Sequence, residues 1–261
     1  MTNYILTNNA SIIIKKPSGE KVDLPLDIIT QSITKFNSII SNFKEYEVDV
    51  FALLGMRNLS AFLGEVFASV LSKASNGFLL KNPHQDGYPD LLLLDKEGNR
   101  IIETLKTRMK EKEPFSGFIN GGIEIKATCG SVPTPAVLSK RGLQKPEIGD
   151  TRINLLTGYD WKAHHRETNN LLGLLWDFKD GVPFIAAIFY SSSLEEEDWG
   201  KIVKPKEDGG RTTSVSIMTR EGIRKMHEGC ICCIDDSRYI DFLGKYNSSK
   251  LLYTYTKRSS F

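Results

Sequence analysis

Three ionisable residues stand in segments that otherwise predict apolar strands. Asp90 opens the run DLLLL (90–94), and Glu124 and Lys126 lie two residues apart in the alternating segment IEIKAT (123–128). Side chains alternate along a strand, so Glu124 and Lys126 share one face. Two carboxylates suit the hard cation Mg²⁺, which can polarise a phosphoryl oxygen, and a lysine can stabilise developing charge. The pattern predicts metal-assisted phosphodiester hydrolysis by Asp90, Glu124 and Lys126.

The same residues carry a resemblance to a known family. Pro89-Asp90 followed by Glu124-Ile125-Lys126 resembles the PD...(D/E)xK signature of the nuclease superfamily that includes most type II restriction endonucleases. The resemblance covers about residues 58–190 and implies that the two acids bind Mg²⁺ while the lysine assists the attacking water. It implies an enzyme that cuts double-stranded DNA at a specific site. We expect a homodimer, because two identical subunits most simply read a two-fold symmetric site.

Two other tripeptides in the chain have the form D-x-K. They are Asp160-Trp161-Lys162, in a glycine-bearing loop, and Asp177-Phe178-Lys179, which runs into a turn and is therefore expected to be solvated. Glu124 is flanked on both sides by strand residues and remains the better candidate, with a structural salt bridge as its alternative. In one respect the pattern departs from the common arrangement. A helix separates Asp90 from Glu124, where a tight hairpin is frequent.

The segment NLSAFLGEVFASVLS (58–72) predicts an amphipathic helix. Its apolar residues recur at helical spacing, and Asn58 is a plausible N-cap. Glu65 is its single charged residue on a face of small residues, so we expect both sides of the helix to be covered and Glu65 to be enclosed. Several members of the nuclease superfamily have a glutamate on such a helix near the metal. By that resemblance, Glu65 is a further candidate metal ligand.

The distribution of charge is more informative than the net charge of +2. Residues 126–166 contain seven Lys and Arg against three Asp and Glu, and residues 201–225 contain the same numbers. Basic patches suit a phosphate backbone, although a charged run is often only a solvated surface. Residues 129–160 are also rich in Pro and Gly with little periodicity, and long irregular stretches in a domain are commonly functional.

Candidate DNA contacts fall in this basic region and in the loop before Asp90. The loop residues are polar, and the segment WKAHHR (161–166) combines aromatic and basic side chains. The alternatives are an exposed loop histidine and the start of a surface helix. The candidates are His84, Gln85, Lys140, Arg141, Lys145, Lys162, His164, His165 and Arg166.

The remaining pattern predicts a central mixed β-sheet flanked by helices, in the α/β or α+β class, with a restriction-endonuclease-like core. Two apolar strands at 171–178 and 183–190 are expected to form a hairpin. Residues 96–99 predict a turn, followed by a charged helix over 100–113. Near the C-terminus we expect a strand at 213–218, a helix at 220–227 and a strand at 230–234. We expect one domain over 1–261, with the catalytic core at about 58–190 and a C-terminal extension at about 191–261.

Composition restricts the class of protein. The longest apolar runs are far shorter than the roughly 20 residues that cross a bilayer, so we expect no membrane partner and a cytoplasmic location. Cys230, Cys232 and Cys233 lie in one apolar run, whose spacing does not suit a closed zinc site, and buried strand thiols are expected.

Two alternatives to a restriction enzyme stay open. The same catalytic core could serve a repair, mobile-element or structure-specific nuclease. A non-catalytic nucleic-acid-binding module is the other, although an intact set of two acids and a lysine argues against it.

Overall fold

A mixed sheet of seven strands forms the centre of the computed structural model, which describes residues 3–6, 11–163, 166–204 and 214–246. The described strands are β1 (Tyr4–Leu6), β2 (Ser11–Lys15), β3 (Lys21–Pro25), β4 (Leu79–Lys81), β5 (Leu91–Leu93), β6 (Gly122–Thr128), β7 (Lys162–Ala163), β8 (Leu171–Lys179), β9 (Val182–Ser191), β10 (Ser216–Ile217) and β11 (Cys230–Ile234). The described helices are α1 (Leu26–Asn42), α2 (Val50–Ala74), α3 (Lys96–Leu105), α4 (Pro135–Lys140), α5 (Arg220–Glu228) and α6 (Ser237–Tyr246).

The seven strands lie in the order β1-β11-β9-β8-β6-β5-β4. The β6–β8 pair is parallel, and the other neighbours are antiparallel. Helices flank this sheet, which confirms the predicted mixed α/β class. The outer strands β1 and β11 come from opposite ends of the chain, so residues outside 58–190 complete one edge of the sheet.

The hairpin of β8 and β9 forms the apolar centre of the sheet, as predicted. Every residue from Leu171 to Phe178 is buried, because both faces of β8 are covered. The two strands join through Asp180 and Gly181, which have positive φ angles of 52° and 77°. A two-residue turn of this kind matches the twist of the strands. The buried thiols of Cys230, Cys232 and Cys233 lie on β11 beside this hairpin, which confirms the interpretation of that segment.

Helix α2 extends beyond the predicted segment and is bent. It begins at Val50, where the Asp49 side chain accepts hydrogen bonds from two backbone N–H groups, rather than at Asn58. Gly55, with φ 66° and ψ 159°, interrupts it, and the parts Val50–Met56 and Asn58–Ala74 meet at 110°. In the described part of the chain, no single helix has the length and apolar character needed to cross a membrane, and only this bent pair passes that test jointly.

The turn predicted at residues 96–99 is instead the first turn of α3. The Asp95 carboxylate accepts from the backbone N–H groups of Glu97 and Gly98, which starts a helix there. A Cβ atom built at Gly98 would lie 2.0 Å from the carbonyl oxygen of Leu93. This glycine therefore lets the helix approach the sheet, rather than marking a loop.

Asp177 is buried, so the prediction that it is a solvated turn residue is wrong. Its carboxylate accepts from the backbone N–H groups of Arg152 and Ile153 at 2.8 and 3.0 Å and from the hydroxyl of Tyr239 at 2.8 Å. These bonds attach the end of the irregular segment 129–160 to β8 and α6. Periodicity could not reveal this role because all three donors are distant in sequence.

Trp161 is also buried, which excludes a surface helix at this position. It packs edge-on against Tyr159 and Phe189, with ring centroids 5.5 and 5.3 Å away. The His227 ring of α5 stacks on Phe189 and hydrogen-bonds the Tyr159 hydroxyl through Nδ1. Burial lowers the pKa of His227 to about 4. This aromatic cluster therefore holds a neutral imidazole in the core.

We predict that His227 makes the protein acid-labile. A pKa lowered from 6.5 in the unfolded chain to about 4 in the fold contributes stability above pH 6.5, and that stability is lost as pH falls through 4. The contribution is at most about 3 kcal/mol. Urea unfolding at pH 7 and pH 4.5 should show a smaller loss of unfolding free energy for His227→Gln than for the unmodified protein. Equal losses would contradict the prediction.

Candidate catalytic site

Antiparallel pairing of β5 and β6 brings the two predicted acids together. Leu91 is opposite Ile123, and continuing this register places Asp90 opposite Glu124. The backbone N–H of Asp90 donates to Glu124 Oε2 at 3.1 Å. In return, the backbone N–H of Ile125 donates to Asp90 Oδ2 at 2.7 Å. Hydrogen bonds in both directions therefore link Asp90 to the Glu124-Ile125 pair, 34 and 35 positions away in sequence.

Lys126 completes the cluster from the same face of β6 as Glu124. Its Nζ contacts Glu124 Oε1 and lies 3.6 Å from Asp90 Oδ2. The Glu124 side chain is 7% exposed, whereas those of Asp90 and Lys126 are each 22% exposed. The structure thus brings together the three residues predicted to be catalytic, with one acid buried and the other two groups partly exposed.

The charges of this cluster do not balance. Two carboxylates face one ammonium, so the fully ionised cluster carries a net charge of −1. Burial, followed by the nearby Glu124 carboxylate, raises the pKa of Asp90 to about 7, against the opposing effects of Lys126 and the Ile125 N–H. Burial disfavours the charged form of Lys126, but the two carboxylates outweigh it and raise the pKa of this lysine. The cluster is therefore suited to accept a further cation.

The donor atoms suit Mg²⁺ better than a softer metal. Asp90 and Glu124 offer only carboxylate oxygens, and Mg²⁺ usually binds one or two carboxylates and keeps several waters. In the described ranges, no group of three His, Cys, Asp or Glu side chains is arranged to hold a metal. Asp90 and Glu124 are the two carboxylates of this cluster that could hold such an ion.

Glu65 is not enclosed, contrary to the sequence prediction. Its side chain is 36% exposed and forms an ion pair with Lys81 at 2.6 Å. Lys81 is opposite Leu91 in the β4–β5 register, and the charge of Glu65 is near enough to Asp90 to contribute to the raised pKa of that carboxyl. On the polar side of α2, Asn58 and Ala61 are exposed, whereas Ala68 is buried. Of the small residues on this side, Ala61 lines an open groove together with Glu65 and Lys81.

Asn82 is a supporting residue that the sequence interpretation missed. Its buried side-chain amide donates to the carbonyl oxygens of Pro89 and Phe115 at 2.9 and 2.8 Å, and its backbone N–H donates to the carbonyl of Asp90. Its Oδ1 accepts from the backbone N–H of His84. Asn82 thus holds both ends of the loop that leads to Asp90. No signal in the sequence distinguishes it from an ordinary loop asparagine.

The candidate DNA contacts occupy several places. Lys140, Arg141 and Lys145 are exposed on or just after α4, in the irregular segment that follows β6. Lys162 is exposed on β7. Arg166 forms an ion pair with Glu196.

In the loop before Asp90, Gln85 is exposed, and His84 is half-buried with its ring 5.5 Å from that of Phe115. His164 and His165 lie outside the described residues. The three basic residues around α4 are therefore the most accessible cluster among the described candidates.

We predict that Mg²⁺ stabilises the protein through this cluster. A ligand at about 100 times its dissociation constant adds about 2.7 kcal/mol to the free energy of unfolding, which for a domain of this size raises Tm by several degrees. Thermal unfolding with and without Mg²⁺ should show this rise in the unmodified protein and its loss in Glu124→Gln. Glu103→Gln, which removes an exposed carboxylate on α3, should keep the rise. An equal rise in all three proteins would place the Mg²⁺ site elsewhere.

Comparisons with protein-family models, with curated proteins and with solved structures found no match to this chain. The geometry provides two carboxylates and a lysine, held together by strand pairing and partly exposed.

Proposed function

We propose that this chain is a Mg²⁺-dependent DNA endonuclease, and specifically a type II restriction endonuclease that cuts double-stranded DNA at a defined site. The observation that supports it best is the convergence of Asp90, Glu124 and Lys126 in one partly buried cluster. In this proposal residues 58–190 form a restriction-endonuclease-like core, and the enzyme acts as a homodimer.

An ion pair that only stabilises the fold is a poorer explanation of the cluster. Burying charges is costly, and replacing a buried ion pair by apolar residues is often neutral or stabilising. Here the cost of burial is greater because one lysine faces two carboxylates. The pKa of Asp90 is accordingly raised to about 7. Net negative charge on a rigid strand pair is useful if the site must attract a cation.

Each residue has a distinct role in the proposed reaction. Asp90 and Glu124 would hold Mg²⁺, and the bound ion would polarise the scissile phosphate and lower the pKa of a water molecule. The Lys126 ammonium, positioned by both carboxylates, stabilises negative charge on the attacking water or on the phosphoryl oxygens. The Ile125 N–H fixes the orientation of the Asp90 carboxylate through its 2.7 Å hydrogen bond.

The exposed basic residues after β6 support DNA as the substrate. Lys140, Arg141 and Lys145 fall within twenty residues of Lys126, on a segment whose end is anchored by Asp177. Phosphate contacts of this kind provide sequence-independent affinity and position the duplex. We assign these residues to contacts with the DNA backbone.

We predict that the purified protein cuts a long DNA of known sequence into discrete fragments with Mg²⁺ and leaves it intact with EDTA. Glu124→Gln and Lys126→Met should each lower the cleavage rate at least about a thousandfold, which corresponds to about 4 kcal/mol of transition-state stabilisation. Glu103→Gln is the matched control and should cleave normally. Rates are read from fragment yields on gels over time.

The other outcomes distinguish the alternatives. A smear, or cutting confined to branched substrates, would favour a repair or structure-specific nuclease with the same cluster. Mg²⁺-independent binding of DNA without cleavage of any substrate would overturn the catalytic proposal and favour a binding module.

We further predict that the double substitution of Lys140 and Arg141 by alanine weakens DNA binding and lowers its salt dependence. Each phosphate contact contributes about 0.9 to the slope of log K against log salt, so the slope should fall by about 1.8. Lys21→Ala, which removes an exposed lysine on β3, is the control and should leave the slope unchanged. Fluorescence anisotropy of a labelled duplex at several salt concentrations measures both. An unchanged slope in the double variant would exclude these two residues from the phosphate contacts.

A further inference from the structure

An acidic segment with exposed apolar side chains lies at the junction of α1 and α2. Within residues 45–53, Tyr46, Val48 and Leu53 are 65%, 54% and 74% exposed. The same nine residues contain three acidic residues and no basic ones. Isolated exposed apolar residues are ordinary, but three within one short segment form a patch of the kind that marks a contact surface. We call residues 45–53 the acidic segment.

An apolar groove of about 610 Å³ runs between α1 and α2 on the same layer of the protein. Its apolar lining includes Ile39, Phe62, Val66 and Val70. We call this cavity the α1–α2 groove. An apolar groove between helices is a common seat for an apolar segment of a partner.

The charges around the α1–α2 groove are opposite in sign to those of the acidic segment. Lys35 and Lys73 are exposed at its edge, and the charge of Glu65 is matched by Lys81. The groove lining therefore carries a net charge of +2, whereas the acidic segment carries −3. Complementary charges of this kind favour one partner and one register over others.

The acidic segment and the α1–α2 groove share a border. Phe43, at the root of the segment, packs against Tyr46 on one side and edge-on against Phe62 of the groove on the other, at 5.8 and 5.7 Å between ring centroids. In a two-fold symmetric dimer, a contact between the segment of one subunit and the groove of the other is repeated in the reverse direction. Because the two surfaces adjoin, one two-fold axis can generate both of these contacts.

We propose that the acidic segment of one copy of this chain occupies the α1–α2 groove of a second copy, and reciprocally, to form a homodimer. This contact buries the exposed apolar side chains of Tyr46, Val48 and Leu53. It also places the carboxylates of Glu45 and Glu47 opposite the lysines of the groove in the second copy. The interface uses neither the Asp90 cluster nor the basic residues around α4. It therefore rests on the proposed function only for the homodimer, to which it gives an interface, and failure of this interface would leave the proposed catalytic cluster unaffected.

The test measures the mass of the full-length protein in solution by light scattering and sedimentation over a range of concentrations. The unmodified chain is expected to be a dimer at micromolar concentration. Reversing the groove charges with Lys35→Glu and Lys73→Glu should raise the dimer dissociation constant at least tenfold. Reversing the segment charges with Glu45→Lys and Glu47→Lys should do the same, because like charges then meet.

Mixing the two charge-reversed proteins provides the decisive measurement. Each then meets a partner of opposite charge at both contacts, so a heterodimer should form where each protein alone is monomeric. Lys21→Glu with Lys201→Glu, two exposed lysines outside both surfaces, is the control for added negative charge and should stay dimeric. Circular dichroism verifies that every variant folds.

Three results would overturn the proposal. They are a monomeric unmodified protein up to 100-fold above micromolar concentration, a dimer that both charge reversals leave intact, and a mixture of the two variants that stays monomeric. Cleavage of DNA by the unmodified protein is measured in parallel, and its presence or absence reports on the nuclease proposal alone.

Discussion

The candidate site depends on the pairing of β5 with β6. A short strand of three residues is joined to its neighbour across an intervening helix and loop, and this register alone sets Asp90 opposite Glu124. Shifting the register by one residue would turn the side chains to the other face and separate the two acids. The reciprocal hydrogen bonds from the Asp90 and Ile125 N–H groups then hold the carboxylates in the positions that the register provides.

The surrounding structure compensates for the unfavourable burial of these charges. A small apolar cluster of Leu92, Leu105, Phe115 and Phe118 packs beside β5 and fixes the segment between the two strands. Asn82 ties that segment to the loop before Asp90 through the carbonyl oxygens of Phe115 and Pro89. These contacts stabilise a site whose own charges contribute little to folding, since buried ion pairs are weak sources of stability.

Local sequence patterns correctly predicted the elements whose structure depends mainly on residues close in sequence. The alternation in residues 123–128 and the apolar hairpin around Asp180 and Gly181 both appear in the structure as predicted. Predictions failed where residues distant in sequence determine the burial or the hydrogen bonds of a side chain. Asp177 receives its donors from residues 152, 153 and 239, and the side of α2 that holds Glu65 lines grooves rather than a second layer.

Local pattern was enough to predict that Glu124 and Lys126 share one face of a strand, because side chains alternate along it with a period of two. It also determined that Asp90 begins an apolar strand. That these strands are neighbours, that the backbone N–H of Asp90 donates to Glu124, and that Glu65 pairs with Lys81 became visible only in the folded chain. The physical reason is that strand register and hydrogen bonding across 34 residues depend on non-local contacts, which no local periodicity encodes.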